Sequence, residues 1–235
     1  IRLSLVGSEM CIRDRSQSNK GKKFLVLPLS ETTMTVALPT PLHIDHLLPA
    51  LCPSADLNGV KLCDDGFSDS PASIHLSRTL SVAILHGEGA SVKRVSQRAL
   101  DDMGLTVRQA WDAAALNLQR RALTDKGLRF FTRPAEQSLP GANGGLEVRT
   151  QRCTMSAWLA HPQTFVIVDN HLRRLTQAQR ITYLVPDTHT VYALVDVPHD
   201  KAADLADRAC ELRPRHRPTL SPQPLVLANG FPLEV

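Results

Sequence analysis

Aromatic residues are scarce in this 235-residue chain: six Phe, two Trp and two Tyr, 4% in all. Proteins that hold single-stranded nucleic acid stack its bases on aromatic rings, so this composition argues against that role. No apolar run approaches the roughly 18–20 residues that a membrane-spanning helix needs, and a membrane partner is not expected. No two cysteines form a C-x-x-C, and no G-x-S-x-G occurs. The commonest thiol-redox motif and the serine-hydrolase elbow are therefore both missing. Outside the first fifteen residues there are four cysteines, Cys52, Cys63, Cys153 and Cys210. With no secretory signal in view, they read as reduced thiols of a cytoplasmic protein.

A strong charge of either sign is lacking as well. The formal charge is +4, and most of it lies near the start. Residues 1–15 hold three arginines against two acids, and residues 16–33 hold three lysines against Glu31. These segments contribute +1 and +2, leaving +1 for Met34–Val235. A nucleic-acid partner has no electrostatic basis in such a balance. The first segment also reads as foreign. Leu5-Val-Gly-Ser-Glu-Met-Cys-Ile-Arg-Asp-Arg15 resembles an in-frame translation of a transposase sequencing adapter. Residues 16–33 read either as translated upstream DNA or as genuine chain, with Phe24–Leu27 as an edge strand. Residues 1–33 are thus expected to be an artefactual or disordered segment. The 202 residues from Met34 onward suffice for a single domain with a sizeable core.

What is present is a dense apolar region, Trp158–Val197. Its three runs are Thr164–Val168, Ile181–Val185 and Val191–Val197, each expected as a strand. In the last, Val191, Ala193 and Val195 alternate with Tyr192 and Leu194, so both faces are apolar and the strand belongs centrally in a sheet. Before this region, Ile44–Leu51 reads as a short helix between Pro41 and Pro53, and Gly59–Cys63 as a short strand. Ser73–Leu85 alternates like a strand or hairpin. Ser91 caps an expected helix over Val92–Met103 that Gly104 ends. Thr106-Val-Arg-Gln109 has the form of a capping box, and Val107, Ala110, Trp111, Ala114 and Leu118 make one apolar stripe behind it. Leu128–Thr132 and Leu146–Thr150 are strand-like around a flexible loop at Pro134–Gly145, and Thr154–Ala160 is a short helix halted by Pro162. A helix follows over Asp200–Leu212, and Asn229-Gly230 sets a hairpin in the tail. The class is α+β: a mixed or antiparallel sheet flanked by a few helices.

This order of features carries a resemblance. The helix bearing Ala113-Ala-Ala-Leu-Asn-Leu118 precedes the small-residue turn Met155-Ser-Ala-Trp158 and then Ile181-Thr-Tyr-Leu-Val-Pro-Asp-Thr-His-Thr-Val-Tyr-Ala-Leu-Val. With the closing Ser-Pro and Asn-Gly hairpin, residues 74–235 resemble the YtpQ-like family of bacterial proteins. The resemblance implies an α+β fold and a bacterial cytoplasmic setting; it carries over no activity, cofactor or catalytic set. The chain departs from the pattern in its Pro134–Gly145 loop and its proline-rich start.

Several constellations carry chemistry in principle. His43-Ile-Asp-His46 places two imidazoles at i, i+3, able to share a divalent ion with Asp45 or a distant ligand, although two ligands alone make no site. His86-Gly-Glu-Gly can offer amides to an anion before a helix. Cys153 and His161 are a nucleophile and base by type only; a small buried thiol and a helix-end histidine explain them equally. Asp187 and His189 fit a turn between strands. Arg213, Arg215 and Arg217, with His216, form a basic loop able to bind an anion or an acidic partner. The expectation is a non-enzymatic domain that binds a protein or small-molecule partner without a cofactor. The alternative is a metal-dependent hydrolase using His43 and His46.

Overall fold

Pro49 decides how the chain begins to fold. Inside a helix its ring would clash with the preceding turn and remove a hydrogen bond. In the computed structural model, which describes residues 42–57, 69–87 and 92–235, the helix expected over residues 44–51 is only a 3-10 turn, Ile44–His46. It passes into strand β1, Leu47–Pro53. The β1 strand lies at the edge of its sheet, where a missing N–H need not cost a ladder bond. The turn is held by Asn117, whose side-chain amide donates to the carbonyls of Ile44 and Leu47 at 2.7 and 3.1 Å.

Strand β1 pairs along β3 (Leu80–His86), and the other flank of β3 takes β2 (Ser73–His75) and β4 (Lys93–Arg94). The expected hairpin at Ser73–Leu85 is therefore present. The next helix starts later than Ser91. Val95 and β4 are drawn onto the edge of β3, and Ser96 caps α1, Gln97–Asp102, by accepting the Ala99 N–H. Ser91, the stretch 59–63 and residues 24–27 lie outside the described residues.

The Thr106 capping box forms as expected and opens α2, Val107–Ala122. Such a cap is worth about 1 kcal/mol. A small hairpin, β5 (Leu123–Thr124) and β6 (Gly127–Leu128), leads into β7, Phe130–Pro134. With β8 (Leu146–Thr150), β9 (Ile181–Leu184), β10 (Val191–Val195), β11 (Leu225–Ala228) and β12 (Phe231–Glu234) it builds an antiparallel sheet in the order β12-β11-β9-β10-β8-β7. Strands β9 and β10 are central, and the fold is α+β.

The first of the three apolar runs is not a strand. Residues 164–168 belong to α3, Pro162–Thr176. Pro162 starts this helix instead of halting its predecessor, because the first helical turn needs no N–H from it. Phe165, Val168, Asp169 and Leu172 are buried at i, i+3, i+4 and i+7, which is helical spacing. The preceding residues do form a short 3-10 turn, Met155–Leu159.

The central strands separate two cores. Val191 and Ala193 join Tyr183, Trp158, Trp111, Phe165 and residues of β1 and β3 in one contiguous cluster. Tyr192 and Leu194 face the other way, toward α4 (His199–Leu212). Residues 134–145 also pack there. This segment is no flexible excursion, since Leu139 and Ala142 are fully buried and burying one leucine is worth about 1.5–3 kcal/mol.

Both ends of the large sheet carry proline. Asn229 and Gly230 have φ of 52° and 87°, which makes the tight turn expected between β11 and β12. In such a hairpin Ala228 and Phe231 exchange hydrogen bonds, while Leu227 and Pro232 point theirs outward. Pro232 therefore leaves the open edge short of one donor, and Pro134 ends β7 at the opposite edge. This limits edge-to-edge pairing with another chain. Among the described residues, no helix is long and apolar enough to cross a membrane.

Candidate functional site

Buried polar groups are the first place to look for chemistry, and most of them here are saturated by hydrogen bonds within the fold. Glu147 on β8 is buried and accepts from Ser138, Arg133 and Arg149. Burial pushes its carboxyl up, but these donors outweigh it and hold the group below the usual glutamate range. A carboxyl depressed in the folded state stabilises above its unfolded pKa, about 4.3, and that contribution fades as pH falls through the folded value. Urea midpoints of wild type and Glu147→Gln should therefore differ most at pH 7 and converge toward pH 3. A gap that widened on acidification would contradict the assignment.

Asp187 likewise serves a turn. It accepts from the N–H groups of His189 and Thr190 at 2.7 and 3.0 Å and from the Thr190 hydroxyl. His161 caps α3. Its Nδ1 accepts the Gln163 N–H at 3.1 Å, so the ring proton sits on Nε2 and donates to Asp112 at 3.0 Å. Burial lowers its pKa, against the pull of Asp112, and the ring is neutral at pH 7. Cys153 is half-buried, and burial pushes its thiol up, away from the reactive thiolate. No hydrogen bond joins it to His161 among the described residues.

The expected anion turn at His86 lacks its helix. Residues 88–91 are outside the described residues, β4 follows them, and α1 begins only at Gln97. His86 instead meets the other two histidines. Its ring lies 5.8 Å from that of His46, which lies 5.9 Å from that of His43. His86 Nε2 accepts the His43 N–H at 3.1 Å, and His43 Nδ1 accepts the N–H of Asp45. Burial, and then the neighbouring His46, His43 and Arg121, keep His86 below its usual range. Among the described residues, no three His, Cys, Asp or Glu side chains are placed to hold a metal ion. Sequence reasoning missed His86 here because it lies far downstream of the 3-10 turn, at the end of β3.

The basic loop is folded back on the protein. Arg213 donates from Nε to the Arg217 carbonyl and from Nη1 to that of Cys210, at the end of α4. Arg217 reaches Asp187 at 3.5 Å. Arg215 is exposed and makes no hydrogen bond or ion pair with a described residue. Arg213 thus ties the loop to the end of α4, and Arg217 ties it to the β9–β10 turn.

A different basic site emerges from the packing of α4 against β9 and β11. A cleft of about 380 Å³ opens there, at the lower end of the range for ligand pockets. Ile181, Ala202, Val226 and Leu227 supply apolar walls, and Arg173, Arg180 and His199 supply polar groups. Both guanidinium groups are held in place. Arg173 donates from Nε to buried Asp169 at 2.5 Å and from Nη1 to the Gln179 carbonyl. Asp169 also accepts from the Tyr183 hydroxyl at 2.9 Å. Arg180 donates to the Val197 carbonyl at 2.9 Å, and Asp196 fixes its backbone by accepting the N–H groups of Gln179 and Arg180. A second recess, lined by Arg121, Arg129 and Arg152, is far smaller.

No sequence motif marks the cleft. Its residues come from α3, the α3–β9 link, α4 and the β11 hairpin, which only the tertiary fold brings together. Comparison with models of known protein families, with curated proteins and with solved structures finds no match for this chain.

Proposed function

We propose that this chain is a non-enzymatic binding domain of the bacterial cytoplasm, and that a small molecule binds between α4, β9 and β11. The observation that carries this reading is the cleft: an apolar concavity with a few polar groups already fixed in place is the usual form of a ligand site. Positions held beforehand reduce the ordering cost of binding. The engagement of Arg213 and Arg217 within the fold favours this cleft over the basic loop as the contact surface.

Binding to the folded state alone raises stability by mass action, about 2.7 kcal/mol at 100 times Kd. A thermal-shift screen of small organic acids and neutral compounds should therefore find at least one that raises Tm. The shift should vanish in Leu227→Trp, whose indole fills the cleft, provided that variant still melts cooperatively. A shift of full size in Leu227→Trp would place the ligand elsewhere.

The alternative reading is a metal-dependent hydrolase using His43 and His46, whose rings meet that of His86 although no three such side chains are placed to hold a metal ion among the described residues. Elemental analysis separates it from the first. Stoichiometric zinc or manganese in purified protein, lost in His43→Ala, would support the hydrolase and count against the non-enzymatic domain.

A further inference from the structure

We infer that the cleft selects a compact organic anion, with a carboxylate head on Arg180 and an apolar body against Ile181, Val226 and Leu227; this rests on the cleft being the ligand site. The two arginines are electrostatically unequal. Arg173 is matched by the buried carboxylate of Asp169. The Arg180 guanidinium has only the Val197 carbonyl and no ion pair among the described residues. Nearby acids do not pair with it: Asp196 accepts from backbone N–H groups, and neither it nor the carboxylate at Val235 forms an ion pair with that side chain. One of five N–H donors is committed, leaving a planar fork suited to two parallel bonds to a carboxylate.

The first turn of α4 adds to this. His199 and Ala202 both line the cleft, so the helix presents its N-terminal end there. That end has no side-chain cap, and unpaired N–H groups at a helix N-terminus favour negative charge. Asp200 in the same turn offsets part of the effect. Val235 also lines the cleft, and its carboxylate works against an anion there; the side chains of Ile181, Thr182, Ala202, Val226 and Leu227 carry no charge, so a wholly polar ion would leave apolar surface uncovered. An anion with an apolar body satisfies both halves of the site.

The test uses the full chain with hexanoate, 1-hexanol and hexyl phosphate, with affinities read by ligand-observed NMR. Hexanoate should bind at least about tenfold more tightly than 1-hexanol, and Arg180→Gln should reduce that preference to about twofold or less. Arg215→Gln, in the basic loop, should leave it unchanged. Equal binding of acid and alcohol would overturn the anion selectivity while leaving the cleft as a ligand site. Absence of binding by all three at about 10 mM, a free energy of under 3 kcal/mol, would count against both. Tighter binding of hexyl phosphate than of hexanoate would overturn the carboxylate head, and a preference lost in Arg215→Gln but kept in Arg180→Gln would move the site to the loop.

Discussion

Trp158→Ala is expected to lower the free energy of unfolding by about 3–5 kcal/mol, the usual range for emptying a buried aromatic site. Trp158 is fully buried in the larger core, edge-on to Phe130 with ring centroids 4.9 Å apart. Its Nε1–H, however, has no hydrogen-bond partner among the described residues. An orphan buried donor costs about 1–3 kcal/mol. Trp158→Phe removes that donor together with part of the ring, so its two effects oppose one another. Its loss should be well under half that of the alanine variant. Urea unfolding at constant m-value measures both. Equal losses in the two variants would show that the indole N–H is satisfied in solution.

The second large effect is at Asp169. Its carboxylate joins α3 to the central strand β9 through the Tyr183 hydroxyl and holds Arg173 at the cleft. Removing one partner of a buried ion pair costs about 3–5 kcal/mol. Arg173 is about a third exposed, at 35%, so water recovers part of that and Asp169→Ala should cost about 2–4 kcal/mol. Tyr183→Phe removes a single hydrogen bond and should cost about 1 kcal/mol. In the double variant the losses should sum to less than the separate ones, because Asp169→Ala has already broken the bond. Strict additivity would mean that the hydroxyl and carboxylate do not interact. Tyr183→Phe should leave ligand binding in the cleft intact.

Local rules located the elements that local chemistry controls. The Thr106 box and the Asn229-Gly230 turn each depend on residues within a few positions, and both form as read. Alternation in Val191–Val195 correctly separated its two faces, because a strand buried on both sides has no competing pattern. Short apolar runs were misread where two periods fit them. Residues 164–168 suit a strand or a buried helical turn, and the start supplied by Pro162 decides between them. Residues 44–51 were misread because the ends of the stretch were weighed and Pro49 within it was not. Polar sites were the least legible. Asp187 read correctly as a turn residue, since its partners are two or three positions away; His161, expected as a donor at a helix end, instead accepts at the start of α3, where the sequence suggests a strand. The roles of Arg213 and Arg217 and the third histidine depend on the fold. So does the cleft, which unites residues from 173 to 235.

The most direct test of the cleft as the binding site is an amide chemical-shift map of the isotope-labelled protein titrated with hexanoate. The largest shifts are expected at Ile181, Thr182, Ala202 and Leu227, with smaller ones fading into α4 and β11. Shifts centred on Arg213–Arg217 or on His43, His46 and His86, with those four amides unmoved, would contradict the account.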